Sequence, residues 1–236
     1  MIISHKHKFI FFKTEKTAGT SLEIALSGIC GPTDVITPIS KIDEQYRQEL
    51  GFRGPQNYLE PKKSSFFKKL FKGTDSNLKP LFYNHISAAE VKPRLSTEQW
   101  NSYHKFAFER NPYDKIISWF YWTKADEQYG SLQKFIESGE AALLKGWNVY
   151  TQNNKLIVDK VYKYEELTTA LTDLSQELNL ASELKLPAKK TKSHTRKNHR
   201  HYSQVLTGQQ RQWVEKEFAP VLKKFNYVFE DKTLSQ

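Results

Sequence analysis

The chain has 236 residues, of which 38% are apolar and 14% aromatic, a composition typical of a globular protein rather than a disordered one. No apolar run reaches the ~18 residues that a membrane-spanning helix needs. The one cysteine, Cys30, excludes an internal disulfide and fits a reducing compartment. We therefore expect a single domain over residues 1–236 in the cytoplasm, with no signal peptide and a frayed tail at 232–236.

The net charge of +10 is concentrated in one segment. Between residues 189 and 201 the sequence KKTKSHTRKNHRH holds six Lys or Arg residues, three His residues and no acid. Such a segment favours an anionic partner. Nucleic acid, an anionic polysaccharide and a phosphorylated cofactor all fit this observation, so charge alone does not choose among them.

The first predicted unit is a strand, a polar loop and a helix. The strand is the apolar run Phe9–Phe12, and the helix covers residues 20–29. Apolar side chains recur in this helix at the spacing of one helix face, at Leu22, Ala25, Leu26 and Ile29. A Cys-Gly-Pro stop follows, and a second short strand is predicted at 34–37. Residues 41–80 contain several Gly and Pro and are interpreted as an irregular surface insertion with room for short helices.

The rest of the chain alternates strands and helices. Predicted strands are residues 104–109 and 155–164, and predicted helices are 112–124, 131–138, 165–178 and 207–225. Pro112 suits a first helical turn, and Thr207 with Gln210 matches a capping box. The alternation predicts an α/β fold, a three-layer sandwich with a mainly parallel central sheet. In such sheets, ligands bind beyond the carboxyl ends of the strands.

The loop after the first strand, KTAGTS at residues 16–21, has the residues of an anion-binding turn. Gly19 lets the backbone approach a ligand, and the amides of Gly19, Thr20 and Ser21 would open the helix where its dipole favours negative charge. Lys16 adds a full positive charge. The nucleotide-binding pattern G-x-x-x-x-G-K-[ST] is absent. A plain strand-turn-helix with a Thr or Ser cap explains the loop equally well.

A second pair of polar residues follows the strand 104–109. Arg110 lies at the predicted strand end, and Ser118 lies about two turns into the next helix. Together they could clamp one phosphate, since arginine offers a planar fork of donors. The alternative is that Arg110 pairs with a nearby acid such as Asp114, with Ser118 a neutral helix residue.

Taken together, KTAGTSL at residues 16–22 and RNPYDKIIS at residues 110–118 resemble the two signature blocks of PAPS-dependent sulfotransferases, in the carbohydrate (family 2-like) branch. PAPS is 3′-phosphoadenosine 5′-phosphosulfate. The resemblance implies a P-loop-like sulfotransferase fold and transfer of the sulfuryl group from PAPS to a hydroxyl or amine of an acceptor. A carbohydrate is the favoured acceptor, and an anionic one is compatible. The product nucleotide would be 3′-phosphoadenosine 5′-phosphate (PAP), and no metal is required.

The resemblance also assigns roles to residues. The 5′-phosphosulfate would be bound by Lys16, Thr17, Ala18, Gly19, Thr20 and Ser21. The 3′-phosphate would be bound by Arg110 and Ser118. Lys16 would also stabilise the negative charge that grows on the leaving oxygen. Glu15 departs from the family, which usually has proline at that position, and Lys13 is a candidate partner for it.

His85, in the sequence NHIS, is similarly placed to a histidine proposed as the catalytic base in several carbohydrate sulfotransferases. Imidazole accepts a proton near neutral pH, which suits that role. Ser87 and Glu90 follow as a capping-box pair, so a capping or core histidine is the other interpretation. Glu60, Glu90 and His104 are rival bases.

Residues 187–203 correspond by resemblance to a basic lid that closes over the cofactor. Phosphate contacts are expected from Lys192, Ser193, Arg196 and Lys197. A solvated basic loop is the alternative. The helix 112–124 also carries an aromatic run at 119–122, which we interpret as core packing for at least half of its members.

Two other functions fit parts of the sequence. A nucleoside-triphosphate-dependent, kinase-like enzyme would need the missing nucleotide-binding pattern and an acidic magnesium ligand at a strand end, whereas Asp159 lies inside a predicted strand. A basic nucleic-acid-binding module explains the basic segment and the patch KKSSFFKKLFKG at 62–73, but leaves 16–21 and 110–118 unexplained. We expect no nucleic-acid partner. We also expect no metal, because Cys or acidic residues are not close to His194, His199 and His201.

Overall fold

A central sheet organises the part of the chain that the computed structural model describes, residues 1–60, 79–144, 146–188 and 196–232. The strands in these residues are β1 (Ile2–Ser4), β2 (Phe9–Phe12), β3 (Val35–Ile36), β4 (His104–Glu109), β5 (Thr151–Gln152), β6 (Lys155–Leu156) and β7 (Lys160–Lys163). Five of them form one sheet in the order β3-β1-β2-β4-β7, while β5 and β6 form a separate hairpin.

Helices connect the strands and follow them. They are α1 (Gly19–Ser27), α2 (Lys41–Glu49), α3 (Ala88–Val91), α4 (Thr97–Ser102), α5 (Pro112–Trp122), α6 (Ala125–Tyr129), α7 (Leu132–Glu137), α8 (Trp147–Tyr150), α9 (Leu167–Glu177), α10 (Gly208–Glu217) and α11 (Ala219–Phe225). Short 3₁₀ turns occupy Lys92–Arg94, Glu140–Leu143, Tyr164–Glu166 and Tyr202–Gln204. In the described residues, we find no helix that is both long and apolar enough to cross a membrane.

Helices cover both faces of the sheet, which explains the uninterrupted apolar sequence of β2. Phe9 and Phe11 pack in one apolar cluster with residues of α1 and α9. Ile10 and Phe12 pack in a second cluster with residues of α3, α4 and α8. All four side chains are fully buried, as expected for a strand with a helical layer on each side. The predicted layering of helix, sheet and helix is therefore present in the described residues.

The prediction of a mainly parallel sheet is wrong, because the sheet is mixed. The β2–β4 and β4–β7 pairs are parallel, whereas β1 pairs antiparallel with both β2 and β3. The sequence analysis missed β1, a three-residue strand that the short loop 5–8 joins to β2. The carboxylate of Asp34 holds this hairpin: it accepts hydrogen bonds from the Ser4 hydroxyl at 2.7 Å and from the backbone amides of His5 and Gly31, each at 2.8 Å.

The predicted strand 155–164 is also wrong as one element, since it divides into β6 and β7. Asn153 and Asn154 have φ angles of 50° and 59°, which is the geometry of a two-residue hairpin turn, and they fold β6 back on β5. Asp159 then attaches the chain to β4. Its carboxylate accepts a hydrogen bond from the Lys105 amide at 2.8 Å, and its own amide donates to the Lys105 carbonyl at 2.8 Å. The second half continues as β7, parallel to β4.

The predicted C-terminal helix 207–225 is two helices, α10 and α11. The Thr207–Gln210 capping box is confirmed at the start of α10. The break falls at Phe218 because Pro220 has no amide hydrogen and its ring would clash with the carbonyl of Lys216 in a continuous helix. The other four predicted helices are confirmed with ends that differ by a few residues. The predicted irregular insertion 41–80 contains the helix α2, which Ser40 caps. Residues 61–78 of this insertion lie outside the described part of the chain.

Candidate functional site

The parallel strands bring three chain segments to one edge of the sheet. In the parallel register, Phe12 of β2 lies opposite Ala107 of β4, and Glu109 of β4 lies opposite Lys163 of β7. The segments that leave these strands at their carboxyl ends are the loop at 13–18, Arg110 and Tyr164. This is the edge at which ligands bind in α/β folds, and it holds most of the residues that the sequence analysis selected.

The loop between β2 and α1 presents backbone amides at the start of a helix. Lys16 and Ala18 both have positive φ angles, 61° and 57°, which are uncommon for residues other than glycine and concentrate at functional sites. Ala18, the residue before α1, makes no side-chain cap, and the first turn of α1 contains no acid. The amides of Gly19, Thr20 and Ser21 therefore open the helix at an end where the dipole favours negative charge.

Gly19 is required by a close contact. A Cβ atom at this position would lie 2.7 Å from Cγ of Lys13 and 3.3 Å from the carbonyl oxygen of Thr14. The Lys13 side chain passes beneath the helix start, and its Nζ is 2.5 Å from Oε2 of Glu23. Any larger residue at position 19 would have to displace this buried lysine.

Buried polar contacts hold the loop from below. Burial by itself would raise the pKa of Glu23, but the positive charges of Lys13 and of the Met1 amino group lower it to about 2. The Thr14 hydroxyl donates to the Phe108 carbonyl, which ties the loop to β4. Lys13, the expected partner of Glu15, thus forms an ion pair with Glu23 in the core.

Lys16 lies beside two tryptophans of α5. Its Nζ is 5.0 Å from the centroid of the Trp122 ring, a cation–π distance. Trp122 stacks on Trp119 with ring centroids 5.1 Å apart. Of the aromatic run 119–122, Trp119 and Phe120 are buried and Trp122 is 37% exposed, so at least half of the run packs in the core, as predicted.

Arg110 pairs with Asp114, the alternative considered from the sequence, and also contacts the loop after β2. Its Nη1 donates to the Lys16 carbonyl at 3.0 Å, which places the guanidinium next to the anion-binding loop. Its Nε donates to Oδ2 of Asp114 at 2.9 Å, and its charged group lies 4.4 Å from the centroid of Tyr164. The half-buried Ser118 follows Asp114 by four residues on α5, on the same helix face.

The basic C-terminal segment reaches the same carboxylate. Nη1 of Arg196 is 2.6 Å from Oδ1 of Asp114, so Asp114 binds Arg110 with one oxygen and Arg196 with the other. Burial acts to raise the pKa of Asp114, but the two arginines outweigh it and hold that pKa below its usual value. Lys197 instead binds Asp126 at 2.6 Å and is 61% exposed. Lys192 and Ser193 fall in 189–195, outside the described residues.

His85 lies under the loop in a strained backbone conformation, with φ at 60°. Its Nδ1 is 3.0 Å from the Lys13 carbonyl oxygen. A carbonyl only accepts hydrogen bonds, so this contact places the proton on Nδ1 and leaves the lone pair on Nε2. Burial and the nearby charge of Lys13 lower the pKa of His85 to about 3. The imidazole is therefore neutral at physiological pH.

A pocket of about 480 Å³ opens beside His85. Its polar lining includes Tyr83, Glu90, Glu109, Lys115 and Glu217. Its apolar lining includes Leu143, Leu144, Trp147, Val149, Phe218 and Val221. The pocket thus extends from His85 to α8 and to the junction of α10 and α11, and its size and mixed lining are those of a small-ligand site.

One buried cluster in this lining was missed by the sequence analysis. Nζ of Lys115 is 2.6 Å from Oε1 of Glu109, and the Tyr150 hydroxyl donates to Oε2 of Glu109 at 2.7 Å. Gly146 covers the pair, since a Cβ there would lie 2.6 Å from Nζ of Lys115. The sequence contained one sign of this cluster. Glu109 and Lys115 are charged residues in β4 and α5, whose other residues are mostly buried.

The rival bases differ in position. His104 begins β4, about 20 Å of strand away from Arg110, and its Nε2 is 3.0 Å from Glu177, so it lies at the opposite edge of the sheet from the loop 13–18. Glu60 is not in the pocket lining. Glu90 is in the lining and caps α3 together with Ser87. Within the described ranges, no group of three or more His, Cys, Asp or Glu residues could hold a metal ion.

A helix terminus with a lysine and an arginine at the strand ends of an α/β sheet is typical of proteins that bind phosphate-containing cofactors. A model of the Sulfotransferase family matches residues 1–228, and the chain belongs to this family, as the two sequence blocks predicted. An uncharacterized protein from Archaeoglobus fulgidus is 28% identical over 99 residues, which are 40% of this chain and 82% of that protein. No solved structure is significantly similar to the chain.

Proposed function

We propose that the protein transfers the sulfuryl group of PAPS to an acceptor hydroxyl, with PAP as the product. Family membership supports sulfuryl transfer. The observation that carries the PAPS assignment is the contact between Arg110 and the Lys16 carbonyl at 3.0 Å, because it puts two anion-binding groups side by side. PAPS carries two separated anionic groups, a 5′-phosphosulfate and a 3′-phosphate. A P-loop-like fold, a carbohydrate acceptor and a cytoplasmic location remain predictions from the sequence.

The loop would bind the 5′-phosphosulfate. The amides of Gly19, Thr20 and Ser21 lie in the first turn of α1, where the helix dipole favours an anion. Thr17 and Ala18 contribute backbone that is already held in the required shape. The Lys16 ammonium would lie at the bridging oxygen and stabilise the charge that grows there as the S–O bond breaks, which lowers the barrier more than it strengthens binding.

Arg110, Ser118 and Arg196 would bind the 3′-phosphate. The two guanidinium groups already converge on the carboxylate of Asp114. A phosphate offers more negative charge and more acceptor oxygens than that carboxylate, so it competes well for the same donors. Lys192, Ser193 and Lys197 of the basic segment are proposed to add to this side of the site.

His85 would accept the proton of the attacking hydroxyl. The acceptor oxygen forms a bond to sulfur, the bond from sulfur to the PAP oxygen breaks, and the hydroxyl proton moves to Nε2 of His85. A pKa of about 3 is low for a base. Burial is the main cause of this low value, and the anionic groups of a bound cofactor would act against it by favouring the imidazolium.

Nucleotide titration tests this function most directly. Ligand binding raises the melting temperature according to the ratio of ligand concentration to dissociation constant. We expect PAP to stabilise the protein more than AMP does, because only PAP carries the 3′-phosphate. Labelled PAPS should also transfer its sulfate. Stronger stabilisation by ATP with magnesium would instead support the kinase-like alternative, and salt-sensitive binding of nucleic acid without PAP binding would support the nucleic-acid alternative.

A further inference from the structure

The pocket beside His85 differs in charge from the anion-binding loop next to it. Among its described lining residues, the charged groups are three carboxylates and one ammonium: Glu90, Glu109, Glu217 and Lys115. The Glu109–Lys115 pair is almost fully buried, with side-chain exposures of 1% and 3%, and is neutral as a unit. Glu90 and Glu217 are exposed. Glu90 and Glu217 leave two negative charges, so the remaining charge of this lining is negative in either protonation state of His85.

The rest of the lining is apolar. Leu143, Leu144 and Trp147 lie on one side of the pocket, and Phe218 and Val221 belong to the helix junction on the other. Leu143 is 68% exposed, so its side chain is accessible to a ligand. A ligand that fills this pocket would bury these groups with an apolar part of its own.

We propose that the pocket binds the acceptor, and that the acceptor is a hydroxyl compound with an apolar part and no anionic group, whose binding a cationic substituent improves. This inference rests on the proposed sulfuryl transfer and names the class of acceptor. The sequence analysis allowed an anionic carbohydrate as the acceptor, and this proposal excludes it. The positively charged residues would bind PAPS, the sulfuryl donor. The pocket proposed for the acceptor carries negative charge instead.

The charge argument follows from the positions of Glu90 and Glu217. Both carboxylates belong to the lining, so an anionic acceptor bound beside His85 would share the pocket with two like charges. A cationic substituent would be attracted by the same two groups. These interactions are screened by salt, because both carboxylates face solvent. The preference is therefore expected to weaken as ionic strength rises.

Three phenyl glycosides of nearly equal size test this proposal: phenyl β-D-glucopyranoside, its uronic acid and its 2-amino-2-deoxy analogue. Their dissociation constants are measured by calorimetry on the full chain saturated with PAP, at low salt and below neutral pH, where the amine is protonated. We expect the amino sugar to bind about tenfold more tightly than the uronic acid, with the neutral glucoside between them. Tighter or equal binding of the uronic acid, or no binding of any of the three, would overturn the proposal.

A charge-neutralising double variant shows whether the pocket causes the preference. In Glu90→Gln/Glu217→Gln the gap between amino sugar and uronic acid should shrink to about twofold. Gln keeps the capping geometry at position 90, so this variant is expected to fold. The matched control Glu98→Gln/Glu137→Gln removes two exposed carboxylates that are not in the lining and should keep the tenfold gap. An unchanged gap in the first variant contradicts the proposal.

The outcomes also separate this inference from the proposed function. If PAP binds in preference to AMP but the glycosides show the reverse charge order, sulfuryl transfer stands and the acceptor class is wrong. If PAP and AMP bind alike and labelled PAPS yields no transfer, the proposed function fails. In that case the affinities of the three glycosides, measured again without PAP, still show whether the pocket prefers a cationic or an anionic ligand.

Discussion

The guanidinium of Arg110 donates a hydrogen bond to the carbonyl of Lys16 across 3.0 Å, although 94 residues separate the two in the sequence. This contact joins the end of β4 to the loop that follows β2. It also brings the guanidinium to the loop that carries Lys16.

Replacing Lys16 with alanine should reduce the turnover number for sulfate transfer about a hundredfold or more, because the leaving oxygen loses its fixed cation. PAP affinity should fall much less, since the loop amides remain. Labelled-PAPS transfer and calorimetry with PAP measure the two effects. Lys185→Ala, at an exposed lysine, serves as the control. Full transfer activity in Lys16→Ala would remove the assigned role.

Arg110→Lys retains the charge but loses the planar fork of donors, and it should weaken PAP binding roughly tenfold or more while AMP binding stays unchanged. The control is Arg211→Lys. Arg211 also pairs with an acid four residues later, Glu215, but on an exposed helix face. An equal loss of affinity for PAP and for AMP would show that Arg110 supports the loop and does not bind the 3′-phosphate.

Asp114→Asn should lower stability and tighten PAP binding at low salt. The carboxylate now binds both Arg110 and Arg196, and its loss leaves their charges less compensated, at a cost of about 1 kcal/mol for a partly exposed group. The same loss removes the group that competes with a phosphate. Denaturant titration and PAP calorimetry test the two directions. Weaker PAP binding would mean that Asp114 mainly positions the arginines.

His85 should make the stability of the protein depend on pH. Its pKa is lowered to about 3 in the folded protein, against about 6.5 in the unfolded chain. The stabilisation is therefore complete above pH ~6.5 and is lost as pH falls toward the folded value, by about 1 kcal/mol per pH unit. Urea titrations at stepped pH measure this slope.

His85→Asn should remove that part of the slope, and asparagine tolerates the positive φ of this position. The variant is also expected to bind PAP normally and to turn over slowly. His199→Asn, at an exposed histidine, should leave the slope as it is. Lost PAP binding in His85→Asn would point to a structural role under the loop.

Gly19→Ala should destabilise the protein by about 1–3 kcal/mol through overpacking against Lys13. Alanine is otherwise the better helix former. Gly208 offers a matched control, because it also begins a helix, α10, and a Cβ there meets nothing within 4 Å. Gly208→Ala should be neutral or stabilising in the same thermal and denaturant measurements. A neutral Gly19→Ala would show that Lys13 can move aside.

The sequence alone predicted the features that depend on local patterns. The loop at 16–21, the strand β4 and the helix start at Pro112 each rest on residues close together in the chain. Contacts between distant residues could not be read in this way. Examples are the pairing of Arg196 with Asp114, 82 residues away, and of Tyr150 with Glu109, 41 residues away.

The mixed sheet was missed for a related reason. β1 has three residues, too few for an alternating or periodic pattern to be recognised. The hairpin of β1 and β2 is held by Asp34, which the sequence analysis placed in the predicted strand 34–37. In the structure the Asp34 carboxylate binds Ser4 and the hairpin amides instead.

The parallel pairing of β2 with β4 has a consequence for how such a protein can diversify. The two segments that would hold opposite ends of a nucleotide leave neighbouring strands, so their spacing is set by the ~4.8 Å between hydrogen-bonded strands. The ninety or so residues that connect the two strands do not determine that spacing. That connection contains Tyr83, His85 and Glu90 of the pocket. The part of that connection after β3 would therefore be able to change in length and composition, and with it the proposed acceptor site, while the loop 16–21 and the proposed nucleotide site kept their spacing.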